Sequence, residues 1–483
     1  MLFSAHKNQH FEASYGTPKM IIPLLPLVVL FAQLVSATIS LSHPTVAHQR
    51  RISIPVPDDD PFFTPPRGWE NASNGDVLRT RQVDLAILEI DKMNIKEAHQ
   101  ILYRTTGVNE SVPSTTVTTV VVPFNAKPNK LVNYLTFVDA DGSQCSPSYT
   151  MRKGGHLAND LGMTFQQLVM TTFLNDGYTM TLPDHQGPNR AFAAGRLEGR
   201  MSIDGTRATL NFKHLGLDQK SKVAYYGYSG GAIACGWVAA LHQNYAPELN
   251  VVGYALGGTP SNVSSTITNI NGGPFSAFGI AGVTGLLYTY PSLYNWAQGK
   301  ITDEGYAAIE YARKNCLLQT LVRYPFQPLL SDKFVKGGAR LLYEPVVKKI
   351  TDALVMGVKS DETPNAPVYM YHANHDEIIP FDSAIKSAKS WANHGADIVF
   401  EEYTSLLLGH VGGAVVGIPD SLLFVRERME GKSFPKGFTH KKVIDPVLNP
   451  RAALKGLDSL IKTIQDIFGK KIGPKDSYIT ASL

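Results

Sequence analysis

The segment Lys222-Val223-Ala224-Tyr225-Tyr226-Gly227-Tyr228-Ser229-Gly230-Gly231 decides the fold that the rest of the chain must fit. Residues 222–226 read as a β-strand, and residues 231–242, rich in small side chains, read as a helix. A strand-to-helix turn this short strains the serine backbone and needs small neighbours, which the surrounding glycines supply. We therefore interpret Ser229 as a nucleophile raised above a sheet. The alternative is a glycine-rich turn whose serine merely caps the helix.

A serine hydroxyl needs a neighbouring base, and that base needs a carboxylate to orient it. Where the serine lies on a turn of this kind, the partners follow in the order acid then histidine, each just after a later strand. Asp376 follows the predicted strand 367–371, and His410 follows the predicted strand 397–403 in a glycine-rich segment that we interpret as a flexible loop. The sequence thus predicts Ser229, Asp376 and His410 as a catalytic triad.

Other residues near these positions remain open as alternatives. Glu377 and Asp382 are the fallback choices for the acid, while His372, His375 and His394 are less well placed as the base. His372 and His375 could form a metal pair with Asp376. However, three ligands on one loop without a second cluster argue against zinc, and no metal is predicted.

Strands and helices alternate along most of the chain, which predicts a mostly parallel sheet covered by helices, an α/β fold. The predicted strands are residues 116–122, 130–138, 178–182, 222–226, 250–255, 367–371 and 397–403. The predicted helices in this alternation are residues 165–174, 191–210, 231–242, 385–394 and 419–430.

The alternation stops between residues 262 and 349, where no segment reads as a sheet strand. This stretch carries predicted helices at residues 275–290 and 302–314, of which the first is strongly apolar. Helical insertions into such sheets often form lids over a site. We predict a lid at 262–349, inserted into one domain made of residues 38–261 and 350–483.

The amino terminus predicts export. Residues 21–35 are almost wholly apolar, too short and proline-broken to span a bilayer, and end before Ala37 as a signal peptide does. We predict a signal peptide at residues 1–37, with Met1 or Met20 as the start, and a secreted, extracellular protein without a transmembrane segment. The sequons at Asn71, Asn109 and Asn262 fit that compartment as glycosylation candidates.

Composition excludes several classes of protein. With 43% hydrophobic and 18% charged residues, the chain is not disordered over most of its length. A net charge of +4, from 45 basic and 41 acidic residues, gives no basic patch that would indicate a nucleic-acid partner. Three cysteines allow one disulfide and one thiol, and Cys235 lies in the small-residue helix where a buried thiol is expected.

Several further segments make the chain resemble the fungal secretory lipase family, which includes the A-type lipase of Candida antarctica. The resemblance covers most of the chain from about Asp60 onward. Its segments are Asp60-Pro61-Phe62, Gly75-Asp76-Val77-Leu78-Arg79-Thr80-Arg81, Leu102-Tyr103-Arg104-Thr105-Thr106, Val117-Thr118-Thr119, Cys145-Ser146-Pro147-Ser148-Tyr149, Pro183-Asp184-His185-Gln186-Gly187, Tyr245-Ala246-Pro247-Glu248-Leu249-Asn250 and Gly257-Gly258-Thr259-Pro260.

The resemblance implies an α/β-hydrolase with a helical lid that cleaves lipid or other carboxylic esters without a cofactor. It places the triad on Ser229, Asp376 and His410, as the residues themselves do. It also implies an oxyanion hole from the backbone N–H groups of Gly230 and Asp139. Because the chain reads Asp139-Ala140-Asp141 where the family usually has Asp-Ser, Asp141 stays open. The resemblance further supports a disulfide between Cys145 and Cys316.

The resulting hypothesis is a secreted triacylglycerol lipase that touches lipid transiently through its lid. Two alternatives remain. One is an esterase or deacetylase acting on a soluble secondary metabolite, since the same site serves any ester. The other is a catalytically inactive hydrolase-fold protein used for binding. The apolar lid stretch fits an acyl-binding surface but equally fits an ordinary helix core.

Overall fold

The computed structural model describes residues 54–85, 94–155, 161–406 and 408–444. The predicted signal peptide at residues 1–37 lies outside these ranges. Within them, one ten-stranded sheet organises the chain, in the order β1-β2-β3-β5-β4-β6-β7-β8-β9-β10. The strands β1 to β10 are Val77–Gln82, Glu97–Thr106, Pro113–Val122, Lys130–Leu135, Thr179–Pro183, Lys222–Tyr228, Val251–Gly257, Val368–Ala373, Ile398–Tyr403 and Phe438–Val443.

The sheet has a parallel part and an antiparallel part. Neighbouring strands from β5 through β4 and β6 to β10 are parallel, whereas β1, β2 and β3 pair antiparallel with one another and β3 does so with β5. The predicted α/β fold with a mostly parallel sheet is confirmed. All seven predicted strands are present, although β4 ends at Leu135 rather than at residue 138 because the chain there leaves the sheet for a loop.

Helices cover the sheet on both faces. In chain order the described helices α1 to α13 are Pro147–Thr150, Leu161–Asn175, Gly195–Asn211, Gly230–Tyr245, Val263–Ile270, Ala277–Thr289, Pro291–Ala297, Asp303–Lys314, Leu317–Arg323, Pro345–Ala353, Phe381–Asn393, His410–Val416 and Ile418–Glu430. Short 3-10 helices are Pro61–Phe63, Trp69–Asn71, Ser143–Cys145, Lys213–Leu215 and Gly338–Tyr343.

Alternating side chains of the central strands divide the core into two layers. Leu131 and Tyr225 face a layer built with α3, α4 and α11, and this layer also contains Trp237. Tyr134 and Tyr226 point the other way, toward α2 and α13. Burial on both faces explains why these strands are apolar at nearly every position.

The segment between β7 and β8 contains helices α5 to α10 and no sheet strand among its described residues. The predicted insertion boundary at residue 349 falls inside α10, so the helical segment runs to Ala353. Two apolar clusters hold it together, one between α6, α8 and the 324–334 loop, the other against α3.

Covalent and surface features bear on the predicted compartment. Cys145 and Cys316 form a disulfide, and Cys235 is a buried free thiol. Asn71 and Asn109 are exposed, while the Asn262 side chain caps α5 by accepting from the Ser265 N–H at 3.0 Å. Glycosylation stays a prediction. Within the described ranges, no helix is long and apolar enough to cross a membrane.

Candidate active site

Ser229 lies directly between β6 and α4, with a strained backbone. Its φ of 52° and ψ of −122° fall where non-glycine residues rarely occur, a conformation that costs about 1–3 kcal/mol. The Ser229 N–H donates to the Gly257 carbonyl on the neighbouring strand at 2.9 Å. The sheet therefore holds the turn in the conformation that lifts the hydroxyl above the strand ends.

The glycines of the turn are required by close backbone approaches. A Cβ on Gly227 would lie 2.3 Å from the Gly231 carbonyl oxygen, and a Cβ on Gly231 would lie 2.0 Å from the Leu135 carbonyl oxygen. Because both obstacles are backbone atoms, they cannot move aside as a flexible side chain could. The requirement for small neighbours, predicted from the sequence, thus has a specific steric origin.

The structure brings Ser229, His410 and Asp376 into one chain of hydrogen bonds. His410 Nε2 lies 2.8 Å from Ser229 Oγ, and His410 Nδ1 lies 2.7 Å from Asp376 Oδ2. Ser229 and His410 are buried, and the Asp376 side chain is fully enclosed. The three residues follow β6, β9 and β8, whose carboxyl ends lie at the same edge of the sheet.

Asp376 is held as a carboxylate from several directions. Its Oδ1 accepts the backbone N–H groups of Ile378 at 2.9 Å and Ile379 at 2.7 Å, and His372 Nε2 lies 3.2 Å from its Oδ2. Burial raises the pKa of Asp376, but the charge of His410 and the imidazole hydrogen bonds outweigh burial and hold that pKa well below its ordinary value. His372, weighed as a base from the sequence, instead contacts the acid.

The groups around His410 make its imidazole more basic. Burial by itself lowers the pKa of His410, but the charge and hydrogen bond of Asp376, followed by the charges of Glu377 and Asp139, raise that pKa above its ordinary value. Since Nδ1 faces the carboxylate, the neutral ring carries its proton there and presents the Nε2 lone pair to Ser229. That is the arrangement of a general base.

The prediction that His410 lies in a flexible loop is wrong, because it is the first residue of helix α12. Glu377 Oε2 accepts the His410 N–H at 2.9 Å, which satisfies a free N–H at the helix start. The Tyr228 hydroxyl donates to the His410 carbonyl at 2.5 Å. Sequence reasoning missed both contacts, although Glu377 adjoins the acid and Tyr228 adjoins the serine.

The remaining candidates lie apart from this hydrogen-bond chain. Asp382 is exposed in the first turn of α11, and His394 is exposed at the end of the same helix. His375 is exposed as well. Glu377 contacts the His410 backbone rather than its ring.

Asp139 lies beside the serine, in the loop after β4. Its φ is 49°, and its carboxylate Oδ1 occupies the space that a Cβ on Gly230 would need, at 1.8 Å. Asp139, Gly230 and Ser229 line the same cavity, whereas Asp141 does not line it. Burial raises the pKa of Asp141 well above its ordinary value.

His185 contacts the loop after β4 that carries Asp139, and it was not identified as a site residue from the sequence. Its Nε2–H donates to the Thr136 carbonyl at 2.9 Å, and its Nδ1 lies 3.2 Å from Glu198 Oε2 on α3. All three residues are buried. The disulfide closes the far end of the loop, where Cys145 and Cys316 pack with Val138.

A largely apolar cavity of about 220 Å³ opens at Ser229 and runs under the helical segment. Its lining comes mainly from α5 to α8, α10 and the loops between them, and includes Ile267, Phe278, Leu287, Trp296, Phe334 and Ile350. Val283 lines the cavity and is also 37% exposed, so the cavity reaches the surface beside α6. Such a space accommodates a hydrocarbon chain whose carbonyl lies at the serine.

Comparisons with known proteins agree with this arrangement. Residues 155–437 match the model of a family described as secretory lipase. The chain is 49% identical over 428 residues to the secreted triacylglycerol lipase LIP3 of Malassezia restricta, which covers 89% of this chain and 91% of that protein. It is 51% identical over 370 residues to the secreted triacylglycerol lipase LIP5 of Malassezia furfur, covering 77% and 97% of the two chains.

Solved structures show the same fold. The X-ray structure of Candida antarctica lipase A superposes with a TM-score of 0.77 at 31% identity, covering 87% of this chain and 99% of that chain. The same lipase in its closed state gives a TM-score of 0.75 at 30% identity, covering 86% and 98%.

Proposed function

Because the chain belongs to the secretory lipase family, we propose that it is a secreted triacylglycerol lipase that forms an acyl-enzyme on Ser229. The observation that carries this proposal is the hydrogen-bonded series Ser229, His410, Asp376 at the mouth of an apolar cavity. Secretion rests on the names of the curated relatives and on the apolar amino-terminal segment.

The reaction is a two-step acyl transfer. His410 Nε2 accepts the proton of Ser229 Oγ as that oxygen attacks the ester carbonyl carbon, and Asp376 stabilises the resulting imidazolium. The backbone N–H groups of Gly230 and Asp139 stabilise the oxyanion. His410 then gives its proton to the departing alcohol. Water, deprotonated by the same nitrogen, attacks the acyl-enzyme and releases the fatty acid, which restores Ser229.

The cavity favours a long-chain ester over a small soluble one. Its walls are apolar along nearly their whole length, so each methylene that enters leaves water and gains about 0.8 kcal/mol. An acetyl group would leave most of that space without a ligand. The cavity therefore favours a lipase over a deacetylase.

Helices α5 to α10 are proposed to act as the lid and to contact lipid near α6. Val283 faces both the cavity and the solvent, and Tyr288 on the same helix is 40% exposed. Exposed apolar side chains at the entrance of an apolar cavity are suited to a lipid surface. The disulfide at Cys316 ties this helical segment to the loop that carries Asp139.

The nucleophile is tested with Ser229→Ala, assayed on emulsified long-chain triacylglycerol and on a soluble short-chain ester. Activity on both substrates should fall by about 10⁴–10⁶-fold, and an organophosphonate should label the wild type but not the variant. The exposed Ser360→Ala variant serves as the matched control. Near-normal hydrolysis by Ser229→Ala would refute the mechanism. A wild type that cleaves the soluble ester but not triacylglycerol would be an esterase instead.

Lipid contact through α6 is tested with Val283→Glu against the matched control Val358→Glu, whose side chain is exposed but does not line the cavity. Val283→Glu should lower activity on emulsions more than activity on a dissolved short ester, because the charge opposes contact with lipid. Equal losses on both substrates would contradict the proposed contact.

A further inference from the structure

Three metal-ligating side chains converge on a surface away from Ser229. Glu97 and His99 are two positions apart on β2, so their side chains point to the same face of the strand. His214 lies in the 3-10 turn Lys213–Leu215 that follows α3. β2 is separated from β6 by three strands in the sheet order, which places this cluster roughly 19 Å from the strand of the nucleophile at ~4.8 Å per strand.

The three side chains present their ligand atoms to one point. His99 Nε2 lies 3.1 Å and His214 Nε2 lies 2.8 Å from the same carboxylate atom, Glu97 Oε2. One ligand atom from each of the three residues lies within 4.8 Å of the others. Ligand atoms bound to one zinc ion at about 2.0–2.2 Å lie at comparable separations, so small side-chain shifts would admit the ion.

Packing holds the two imidazoles in place. Phe212 stacks on His214, with ring centroids 5.6 Å apart, and meets the edge of His99 at 5.4 Å. The His99 side chain is 9% exposed, while His214 is 51% exposed and leaves a path for an ion. Lys96 contacts the other carboxylate oxygen, Oε1, at 3.5 Å and so leaves Oε2 facing the rings.

Both imidazoles are within hydrogen-bond distance of the Glu97 carboxylate. Hydrogen bonds from His214 and then His99 lower the pKa of Glu97 to about 2. An imidazole binds a cation through a nitrogen lone pair, so zinc binding at these Nε2 atoms would displace any proton they carry.

We propose that Glu97, His99 and His214 bind one Zn²⁺ ion, with water completing a tetrahedral site. Two histidines and one carboxylate are a ligand set that zinc takes in proteins. The ion would join β2 to the α3–β6 connection and, by binding the folded chain alone, would stabilise it. His214 lies 117 residues after Glu97 and no local motif links them, so sequence patterns alone do not indicate this site.

The experiment titrates ZnCl₂ into the full-length, untagged, chelator-treated protein by calorimetry and follows the thermal unfolding temperature. The wild type should bind one equivalent and unfold at a higher temperature with zinc. His214→Gln should lower the affinity by at least about 100-fold, because it removes a ligand from the metal. Because His214 is half exposed, we expect this variant to fold, and unchanged hydrolysis of a soluble ester checks this.

His394→Gln is the matched control, since His394 is exposed and distant in sequence from the cluster. It should bind zinc as the wild type does. Glu97→Gln should weaken binding like His214→Gln, since it removes the charge that attracts the cation. Zinc binding that survives His214→Gln and Glu97→Gln, or absence of binding by the wild type, would overturn the proposal.

Discussion

His410 Nε2 lies 2.8 Å from Ser229 Oγ, although 181 residues separate the two along the chain. The sheet produces this proximity, because β6, β7, β8 and β9 are adjacent and parallel and end at the same edge. The serine follows one of these strands directly, and the histidine begins a short helix after another. The geometry of the site is therefore set by strand order, whereas its chemistry is set by the residues just beyond the strand ends.

Replacing Asp376 by Asn should lower kcat on a soluble ester by about 10³–10⁴-fold. The amide keeps the shape of the side chain but cannot hold His410 in the tautomer that presents an Nε2 lone pair, nor stabilise the imidazolium. Asp382→Asn is the matched control and should retain wild-type activity, because Asp382 is exposed on α11. Steady-state kinetics of the two variants compare the positions directly, and the reverse ranking would identify Asp382 as the acid.

The value of kcat/KM should fall on the acidic side of the pH profile, with a midpoint above ~6.5, the ordinary pKa of histidine. His410 acts as a base only when neutral, and the surrounding carboxylates of Asp376, Glu377 and Asp139 raise its pKa against the opposing effect of burial. Activity is thus lost as pH falls through that raised pKa. Glu377→Gln removes one raising charge and should move this midpoint to lower pH. An acidic midpoint that is the same in Glu377→Gln as in the wild type would show that the Glu377 charge does not raise the pKa of His410.

The sequence predicted the central part of the fold and the hydrogen-bonded residues, for reasons visible in the structure. Strands such as β6 and β8 are buried on both faces and so are apolar at nearly every position, and the glycines around Ser229 are required by close backbone contacts. Such constraints leave a strong local pattern.

Other features leave weaker local signals. β1 and β10 lie at the sheet edges, where exposure permits charged residues such as Lys441 and Lys442, and neither was predicted. β2 was missed too, because its polar residues His99 and Gln100 are buried by tertiary contacts rather than by an apolar pattern. The helix at His410 depends on an acceptor, Glu377, that lies 33 residues earlier.

Removing the disulfide with the double substitution Cys145→Ser and Cys316→Ser should lower the free energy of unfolding by about 2–5 kcal/mol. The bridge joins residues 171 positions apart and so restricts a long loop of the unfolded chain. Urea unfolding of the two proteins measures the difference. Cys235→Ala, which removes the buried free thiol, is the control for loss of a cysteine as such. Cys235→Ala should lower the free energy of unfolding by less than the double substitution does. Because its disulfide is intact, a reducing agent should destabilise this variant as much as it destabilises the wild type.

Two glycine-to-alanine variants distinguish a glycine that is required by a close backbone contact from one that only lowers helix propensity. In Gly231→Ala the new Cβ would lie 2.0 Å from the Leu135 carbonyl oxygen, so the turn around Ser229 must distort. We expect loss of more than about 3 kcal/mol of stability, or failure to fold, since overpacking against backbone is not relieved by side-chain movement.

Gly282→Ala, on α6, should behave in the opposite way. Its Cβ would meet only the Ala193 Cβ at 3.7 Å, an ordinary contact, and alanine favours a helix over glycine by about 0.5–1 kcal/mol. Thermal unfolding of both variants in parallel measures the contrast. If Gly231→Ala were as stable as Gly282→Ala, the turn would tolerate a side chain, and the steric explanation of its glycines would be wrong.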